Sequence, residues 1–173
     1  HIIPCGVDLD TFSPIDKWDA REKLGWQKNK NYILFSSGFH NPVKNAALAK
    51  SALKSIDLEV KLIELKGYTK QQVCQLMNAA DLLLITSFSE TGPIVAKEAL
   101  ACNCPIISTN VGDVKSITKK IDNCFVTSYN PNEIGEKIRI MLASGLRSNG
   151  RIFMKSYGLD KVAQKIKMVY VNI

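Results

Sequence analysis

Two carboxylates flank a Thr-Gly-Pro turn near the middle of the chain. Glu90 lies just before the turn and Glu98 follows it, with seven residues between the two. The apolar run 82–86 predicts a buried strand before this segment, and residues 93–102 predict a helix after it. In an open α/β sheet, a polar, glycine-containing loop between a strand and a helix is the usual place for a ligand. Two carboxylates at such a place can hold the hydroxyls of a sugar or a ribose.

The turn itself offers backbone donors to the same ligand. Because the first turn of a helix leaves its N–H groups unpaired, the amides of Thr91, Gly92 and their neighbours suit phosphate or sugar oxygens. Pro93 fits the first helical position, where its missing N–H costs nothing. A simpler interpretation of Glu90 is a carboxylate that complements the positive end of the helix dipole, and the two roles are compatible.

The rest of the chain predicts the elements that must position this segment. Short continuous apolar runs alternate with stretches whose apolar residues recur at helical spacing. Continuous apolar strands are buried on both faces, which indicates an α/β fold with a Rossmann-like parallel sheet flanked by helices. The predicted strands are 32–36, 60–65, 82–86, 105–108 and 124–126. The predicted helices are 49–56, 73–80, 93–102, 113–120, 131–142 and a terminal helix around 162–169, which residues 147–158 connect to the rest.

The composition is that of an ordinary globular domain. The 173 residues are 46% hydrophobic and 23% charged, and a chain of this length can bury a real core. No apolar run approaches the roughly 18 residues that span a bilayer. The net charge of +7 is scattered and accompanies no recognised nucleic-acid module, so no nucleic-acid partner is expected. Solvated helix faces that attract an anionic ligand explain the charge, and a weak peripheral pull toward an acidic membrane is the alternative.

The five cysteines do not indicate a metal site. Their number is odd, most lie in apolar surroundings, and the pair Cys102 and Cys104 has no second pair or histidine cluster beside it. Reduced thiols in a cytoplasmic protein are therefore expected.

Four ordered segments resemble the C-terminal domain of the group 1, family 4-like, retaining glycosyltransferases, whose two-domain fold is called GT-B. Residues 3–14 are similar to the linker that opens this domain, and residues 39–54 resemble its Lys-Asn segment. Residues 90–98 match its E-x7-E motif, and residues 99–114 match the continuation of that motif.

The resemblance also implies how the chain is organised. It places an interdomain linker at 1–14 and a nucleotide-sugar (donor) binding domain at 15–173, with a terminal helix over 159–173. Because the chain begins at His1 inside such a linker, we expect a longer protein with an N-terminal acceptor domain.

Individual roles follow from the same resemblance. Lys44 matches the lysine that neutralises the leaving diphosphate, Glu98 the carboxylate that binds the ribose hydroxyls, and Glu90 the carboxylate that contacts the donor sugar. Gly38 lets the backbone approach the diphosphate closely, and Tyr68 lies where the base-binding loop falls. Without the resemblance, Lys44 is a solvated lysine near a helix start and Glu98 is one partner of a surface ion pair.

One departure from the family pattern concerns the phosphate. Relatives usually carry an arginine directly after the glycine that ends the first strand, whereas this chain continues from Gly38 with Phe39. The bidentate arginine–phosphate clamp is therefore missing, and His40 or Asn41 could replace only part of it.

The resemblance implies a transferase that moves a sugar from a nucleotide-diphosphate donor to a saccharide or lipid-linked acceptor in polysaccharide biosynthesis. No metal or other cofactor is expected, and the setting is the cytoplasm or the inner face of the membrane. The isolated chain should bind donor weakly and transfer no sugar. The alternative is a catalytically silent nucleotide-sugar-binding or regulatory module. A nicotinamide-dependent oxidoreductase fits poorly, since no Gly-x-Gly-x-x-Gly follows the first strand.

Overall fold

The computed structural model describes residues 2–171 and contains one five-stranded sheet with the strand order β2-β1-β3-β4-β5. All four neighbouring pairs run parallel. The strands are β1 (Asn31–Phe35), β2 (Val60–Glu64), β3 (Leu82–Ile85), β4 (Ile106–Thr109) and β5 (Cys124–Thr127). This confirms the expected Rossmann-like parallel sheet.

Strands β3 and β4 are buried throughout, as the apolar sequence of β3 predicts, and β4 ends with two buried hydroxyl residues, Ser108 and Thr109. Alternate side chains enter two cores on opposite sides of the sheet. Leu34, Leu83 and Ile106 pack on one side, whereas Leu84 and Ile107 pack on the other. Helices therefore cover both faces, and the polar loops are confined to the ends of the strands.

Eight α-helices lie within the described residues. They are α1 (Lys17–Lys23), α2 (Ala46–Lys54), α3 (Lys70–Ala79), α4 (Ile94–Ala101), α5 (Val114–Thr118), α6 (Pro131–Ser144), α7 (Gly150–Met154) and α8 (Leu159–Val171). Asn130 caps α6 by accepting a hydrogen bond from Asn132 N–H, and Pro131 is its first residue, as the sequence predicts. Of the terminal helix predicted over 159–173, residues 172 and 173 lie outside the described residues.

Two short helices have no counterpart among the elements predicted from the sequence. Helix α1 follows Asp16, whose carboxylate accepts hydrogen bonds from two amides of its first turn. Helix α7 interrupts the segment 147–158, which the sequence predicts as a plain connection. Each has too few residues to show a clear helical period, and each is held by contacts with distant parts of the chain.

The first residues of the chain pack onto the domain. Val7 and Phe12 are buried, and Val7 N–H donates to the carbonyl of Tyr157. The guanidinium of Arg151 donates to the carbonyls of Phe12 and Leu9. The segment expected to be a linker is therefore fixed against α7 and the turn that follows it.

Candidate functional site

The order of the strands creates a crevice at one edge of the sheet. From β1 the chain crosses to β2 on one side, and it then returns to β3 on the other side of β1. Loops after β1 and β3 therefore leave the sheet in opposite directions, and a gap opens between their carboxyl ends. Ligands of open α/β sheets bind at such a topological switch point.

Lys44 and Glu90 meet across this crevice. Lys44 Nζ lies 2.5 Å from Glu90 Oε1, and the hydroxyl of Ser87 donates to the same carboxylate oxygen at 2.7 Å. The side chains are only 19% and 14% exposed, so water screens this pair weakly. The two residues expected to be catalytic are thus in direct contact.

Local hydrogen bonds fix the loop that carries Lys44. A single 3-10 turn covers Pro42–Lys44, and Asn45 follows in the left-handed conformation at φ 53° and caps α2. The buried hydroxyl of Thr86 lies 3.0 Å from the carbonyl oxygens of Lys44 and Asn45 and donates to them. Because Thr86 directly follows β3, this contact ties the loop after β1 to the loop after β3.

The amides beside Glu90 are available to a ligand. None of the described residues accepts a hydrogen bond from Thr91 N–H or Gly92 N–H. Helix α4 begins at Ile94, and Pro93 is its N-cap with ψ 108° rather than its first residue. The expectation for Pro93 was therefore wrong by one position, because its extended ψ ends the turn and its carbonyl accepts the first bond, from Ala96 N–H.

Gly112 packs against the Thr-Gly-Pro turn that follows Glu90. It has φ +53°, and a Cβ at this position would lie 3.0 Å from Pro93 Cδ and 3.2 Å from Gly92 N. A side chain there would be strained and would push the turn outward. The loop after β4 thus presses directly on the loop that carries Glu90.

A buried ion pair supports the same turn. The side chain of Lys97 on α4 is fully buried, and its Nζ lies 2.6 Å from Asp113 Oδ2. The other oxygen of Asp113 is also buried and accepts no hydrogen bond from any described residue; it faces Gly92, where an added Cβ would be 3.6 Å away. Sequence reasoning missed this pair, although a lysine among the apolar residues of α4 is a signal that could have revealed it.

Glu98 has a different environment from Lys44 and Glu90. No hydrogen bond or ion pair between described residues joins it to either. It is half-buried on α4, and burial raises its pKa, against the opposing effect of Lys70 and with a further rise from Asp8. A carboxylate that burial makes costly to ionise is poised to accept hydrogen bonds from ligand hydroxyls.

The loop after β2 runs past Glu98. Tyr68 is 43% exposed in this loop, between Gly67 at φ +80° and the N-cap of α3 at Thr69. Lys70, the first residue of α3, acts electrostatically on Glu98. Lys70, two residues after Tyr68, is thus within electrostatic reach of Glu98, whereas no hydrogen bond between described residues fixes the Tyr68 side chain.

The described residues contain neither a metal-binding cluster nor a membrane-spanning helix. No group of three or more histidine, cysteine, aspartate or glutamate side chains there is placed to hold a metal ion. No helix in that part of the chain combines the length and hydropathy needed to cross a membrane.

Comparison with known proteins identifies the family. The family described as glycosyl transferases group 1 matches residues 26–144. This chain therefore belongs to the group 1 glycosyltransferases. It is 25% identical to the D-inositol 3-phosphate glycosyltransferase of Xylanimonas cellulosilytica over 213 residues, which cover 99% of this chain and 51% of that protein. The chain thus spans about half the length of this curated relative.

Solved structures give the same result for the fold. Sucrose-phosphate synthase from Thermosynechococcus elongatus superimposes with a TM-score of 0.88 at 19% identity, covering 99% of this chain and 52% of that one. HepE from Anabaena, solved in complex with UDP and glucose, superimposes with a TM-score of 0.80 at 19% identity. The match covers 100% of this chain and 57% of HepE. The C-terminal domain of LpcC from Francisella tularensis superimposes with a TM-score of 0.65 at 18% identity. The match covers 93% of this chain and 98% of that domain. The chain thus has the fold of a GT-B C-terminal domain.

Proposed function

We propose that this chain is the donor-binding half of a retaining glycosyltransferase, which moves a sugar from a nucleotide-diphosphate donor to a saccharide or lipid-linked acceptor. The observation that carries the proposal is the contact between Lys44 and Glu90 across the switch point of the sheet, at 2.5 Å. A cation and a carboxylate beside unpaired amides provide the chemistry that an activated sugar requires.

The diphosphate is the leaving group, so its growing negative charge must be stabilised. Lys44 supplies a fixed cation for this in a crevice with little water. One pair of unit charges at 4 Å contributes roughly 4 kcal/mol at an effective dielectric constant of 20, before desolvation is subtracted. Gly38 lies three residues after β1, where the phosphates pass, and its missing side chain leaves room for the side chains of His40 and Lys66.

The sugar and the nucleoside occupy the two ends of the site. Glu90 and the amides of Thr91 and Gly92, just before α4, orient the donor sugar and its reacting carbon. Glu98 accepts hydrogen bonds from the ribose hydroxyls, and Tyr68 contacts the base. The complex of HepE with UDP and glucose supports a donor of this chemical class.

The acceptor hydroxyl is the nucleophile, and its binding belongs to an N-terminal domain joined through the linker at 1–14. Residues 15–173 then bind donor but transfer no sugar by themselves. We assign the enzyme to the cytoplasm, and the net charge of +7 favours weak attraction to the acidic inner face of a membrane.

A catalytically silent binding module is the second candidate. Phe39 stands where relatives carry the phosphate-binding arginine, and Lys44 is already neutralised in part by Glu90. Activity of the full-length protein with a bound nucleotide sugar distinguishes the two candidates, because a silent module binds the donor and does not turn it over.

The donor-binding proposal is tested with the 173-residue chain. UDP, GDP, ADP and CDP are screened for thermal stabilisation, which amounts to about 2.7 kcal/mol at a hundredfold excess over Kd. For the nucleotide that binds, Glu98→Gln should lower the affinity of the chain for the ribonucleotide. Its affinity for the 2′-deoxy analogue should stay nearly unchanged. Glu136→Gln, at an exposed position on α6, is the matched control. A wild-type chain that binds none of the four nucleotides contradicts the proposal.

A further inference from the structure

The side chains of a lysine and a histidine lie close together on the other side of β1 from Glu90. Lys66 follows β2 and His40 follows β1, and Lys66 Nζ is 3.4 Å from His40 Nε2. Both side chains cover Gly38: a Cβ added there would lie 2.8 Å from His40 Cε1 and 3.1 Å from Lys66 Cδ. The two side chains therefore fill the space that a side chain at residue 38 would occupy, and together they form a small cradle whose rim carries N–H donors.

No described carboxylate pairs with Lys66. The nearest acidic group along its strand, Glu64, is engaged by the Phe39 amide, which donates to Glu64 Oε2 at 2.8 Å. Lys66 and His40 are both exposed. The cradle thus offers an unneutralised cation, whereas the cation of Lys44 is shared with Glu90.

The residue that follows Gly38 cannot supply this charge. The Phe39 ring lies 5.3 Å from that of Phe35, and the ammonium of Lys50 lies 5.0 Å from its centroid. Phe39 belongs to the core that packs against α2. A positive charge at the end of β1 must therefore come from a neighbouring loop.

We propose that Lys66, assisted by His40, binds the donor diphosphate next to the loop that carries Gly38 and replaces the missing arginine. The inference rests on the proposed function. Adjacent parallel strands are about 4.8 Å apart, so the loops after β2 and β3 stand roughly 10 Å apart with the end of β1 between them. A diphosphate between these loops then has Lys66 on one side and Lys44 on the other. Charge-assisted hydrogen bonds from two sides hold its oxygens while the glycosidic bond breaks.

The test is a calorimetric titration of the 173-residue chain with UDP, GDP, ADP and inorganic pyrophosphate. Pyrophosphate reports on the cradle independently of the base. Loss of one charged hydrogen bond weakens binding by about tenfold to a hundredfold, and this is the result expected for Lys66→Gln. His40→Ala should weaken binding less, and Lys66→Arg should retain most of it. Lys61→Gln, at an exposed position near the other end of β2, is the control.

The outcomes separate this inference from the proposed function. If the wild-type chain binds a nucleoside diphosphate and Lys66→Gln binds it equally well, the cradle is refuted and the donor-binding proposal stands. If the wild-type chain binds pyrophosphate but no nucleotide, and Lys66→Gln abolishes that binding, the cradle stands and the donor-binding proposal fails. If neither ligand binds, both are overturned. Circular dichroism of each variant confirms that it is folded.

Discussion

The ammonium of Lys44 and the carboxylate of Glu90 lie 2.5 Å apart, although the two residues are 46 positions apart in the sequence. Lys44 follows β1 and Glu90 follows β3, so the ion pair joins the two sides of the crevice. A ligand phosphate that binds Lys44 must compete with this carboxylate or share the ammonium with it. The two residues should therefore respond to substitution in opposite ways.

The first prediction concerns this pair. Lys44→Gln should weaken the binding of UDP by about tenfold or more, because a charged hydrogen bond is lost. Glu90→Gln should bind pyrophosphate at least as tightly as the wild type, because the cation is no longer shared, while its affinity for an intact nucleotide sugar falls. Calorimetry measures both, with the exposed Lys54→Gln on α2 as the control. Equal losses of pyrophosphate binding in the two variants would contradict the idea of a shared cation.

The second prediction concerns the pH dependence of stability. Burial raises the pKa of Glu98 in the folded chain, so the folded state holds its proton more tightly than the unfolded state does. This carboxylate therefore makes stability fall as pH rises from the unfolded pKa through the folded one. Glu98→Gln should be more stable than the wild type at pH 7 and should lose that advantage near pH 4.

Urea unfolding of the wild type and of Glu98→Gln at a series of pH values checks the second prediction. Glu136→Gln, on an exposed helix face, should show no such trend. If the higher stability of Glu98→Gln persists unchanged at low pH, it does not come from removing the ionisation of Glu98.

The third prediction concerns Lys97 and Asp113. Asp113→Ala leaves the fully buried ammonium of Lys97 without its carboxylate partner, and should cost about 3 kcal/mol in the free energy of unfolding. The double variant with Lys97→Met should regain much of this loss, because no buried charge remains. Denaturant unfolding of both variants measures the difference, with the exposed Asp57→Ala as reference. Additive losses in the double variant would show that the pair is not coupled.

The fourth prediction concerns Arg21, a fully buried guanidinium on α1. It donates to the carbonyls of Ala79, Lys28 and Lys30 and to both oxygens of Asp81, at 2.9 to 3.1 Å. Arg21→Met should cost about 3 to 5 kcal/mol, a large part of the stability of an ordinary domain.

The conservative variant Arg21→Lys should also destabilise the chain, because an ammonium cannot reproduce the planar set of donors. Arg139→Met, at an exposed position on α6, is the matched control, and thermal unfolding ranks the three variants. A melting temperature of Arg21→Met equal to that of the control would refute the role of this network.

The sequence was sufficient to predict the sheet, because β1 and β3 are short, largely apolar runs, and strands buried on both faces favour a parallel arrangement. The expectation that Lys44 and Glu90 lie near one ligand came from the family resemblance, since the strand pattern alone does not order β1 and β3 in the sheet. The sequence could not show that they bind each other, because a contact across 46 positions depends on the loop conformation.

Long-range polar partners were the part that sequence patterns could not reveal. Arg21 bonds to Asp81 across 60 positions, and Lys66 meets His40 across 26. Neither contact leaves a periodic pattern in the sequence. Each involves a residue in a loop or at the end of an element, and only folding brings its two residues together. The helix α1 was missed for the same reason, because its seven residues are held by such contacts rather than by a periodic apolar face.

All the candidate ligand-binding side chains follow the carboxyl ends of strands or lie on α4, and the turn at residues 57–59 leads into the opposite end of β2. This turn is exposed and contributes nothing to the crevice. It is therefore a suitable point of attachment for a fluorophore or an inserted reporter protein. A chain labelled there would report the proposed binding of sugar nucleotides by an optical signal, while the candidate site stays untouched.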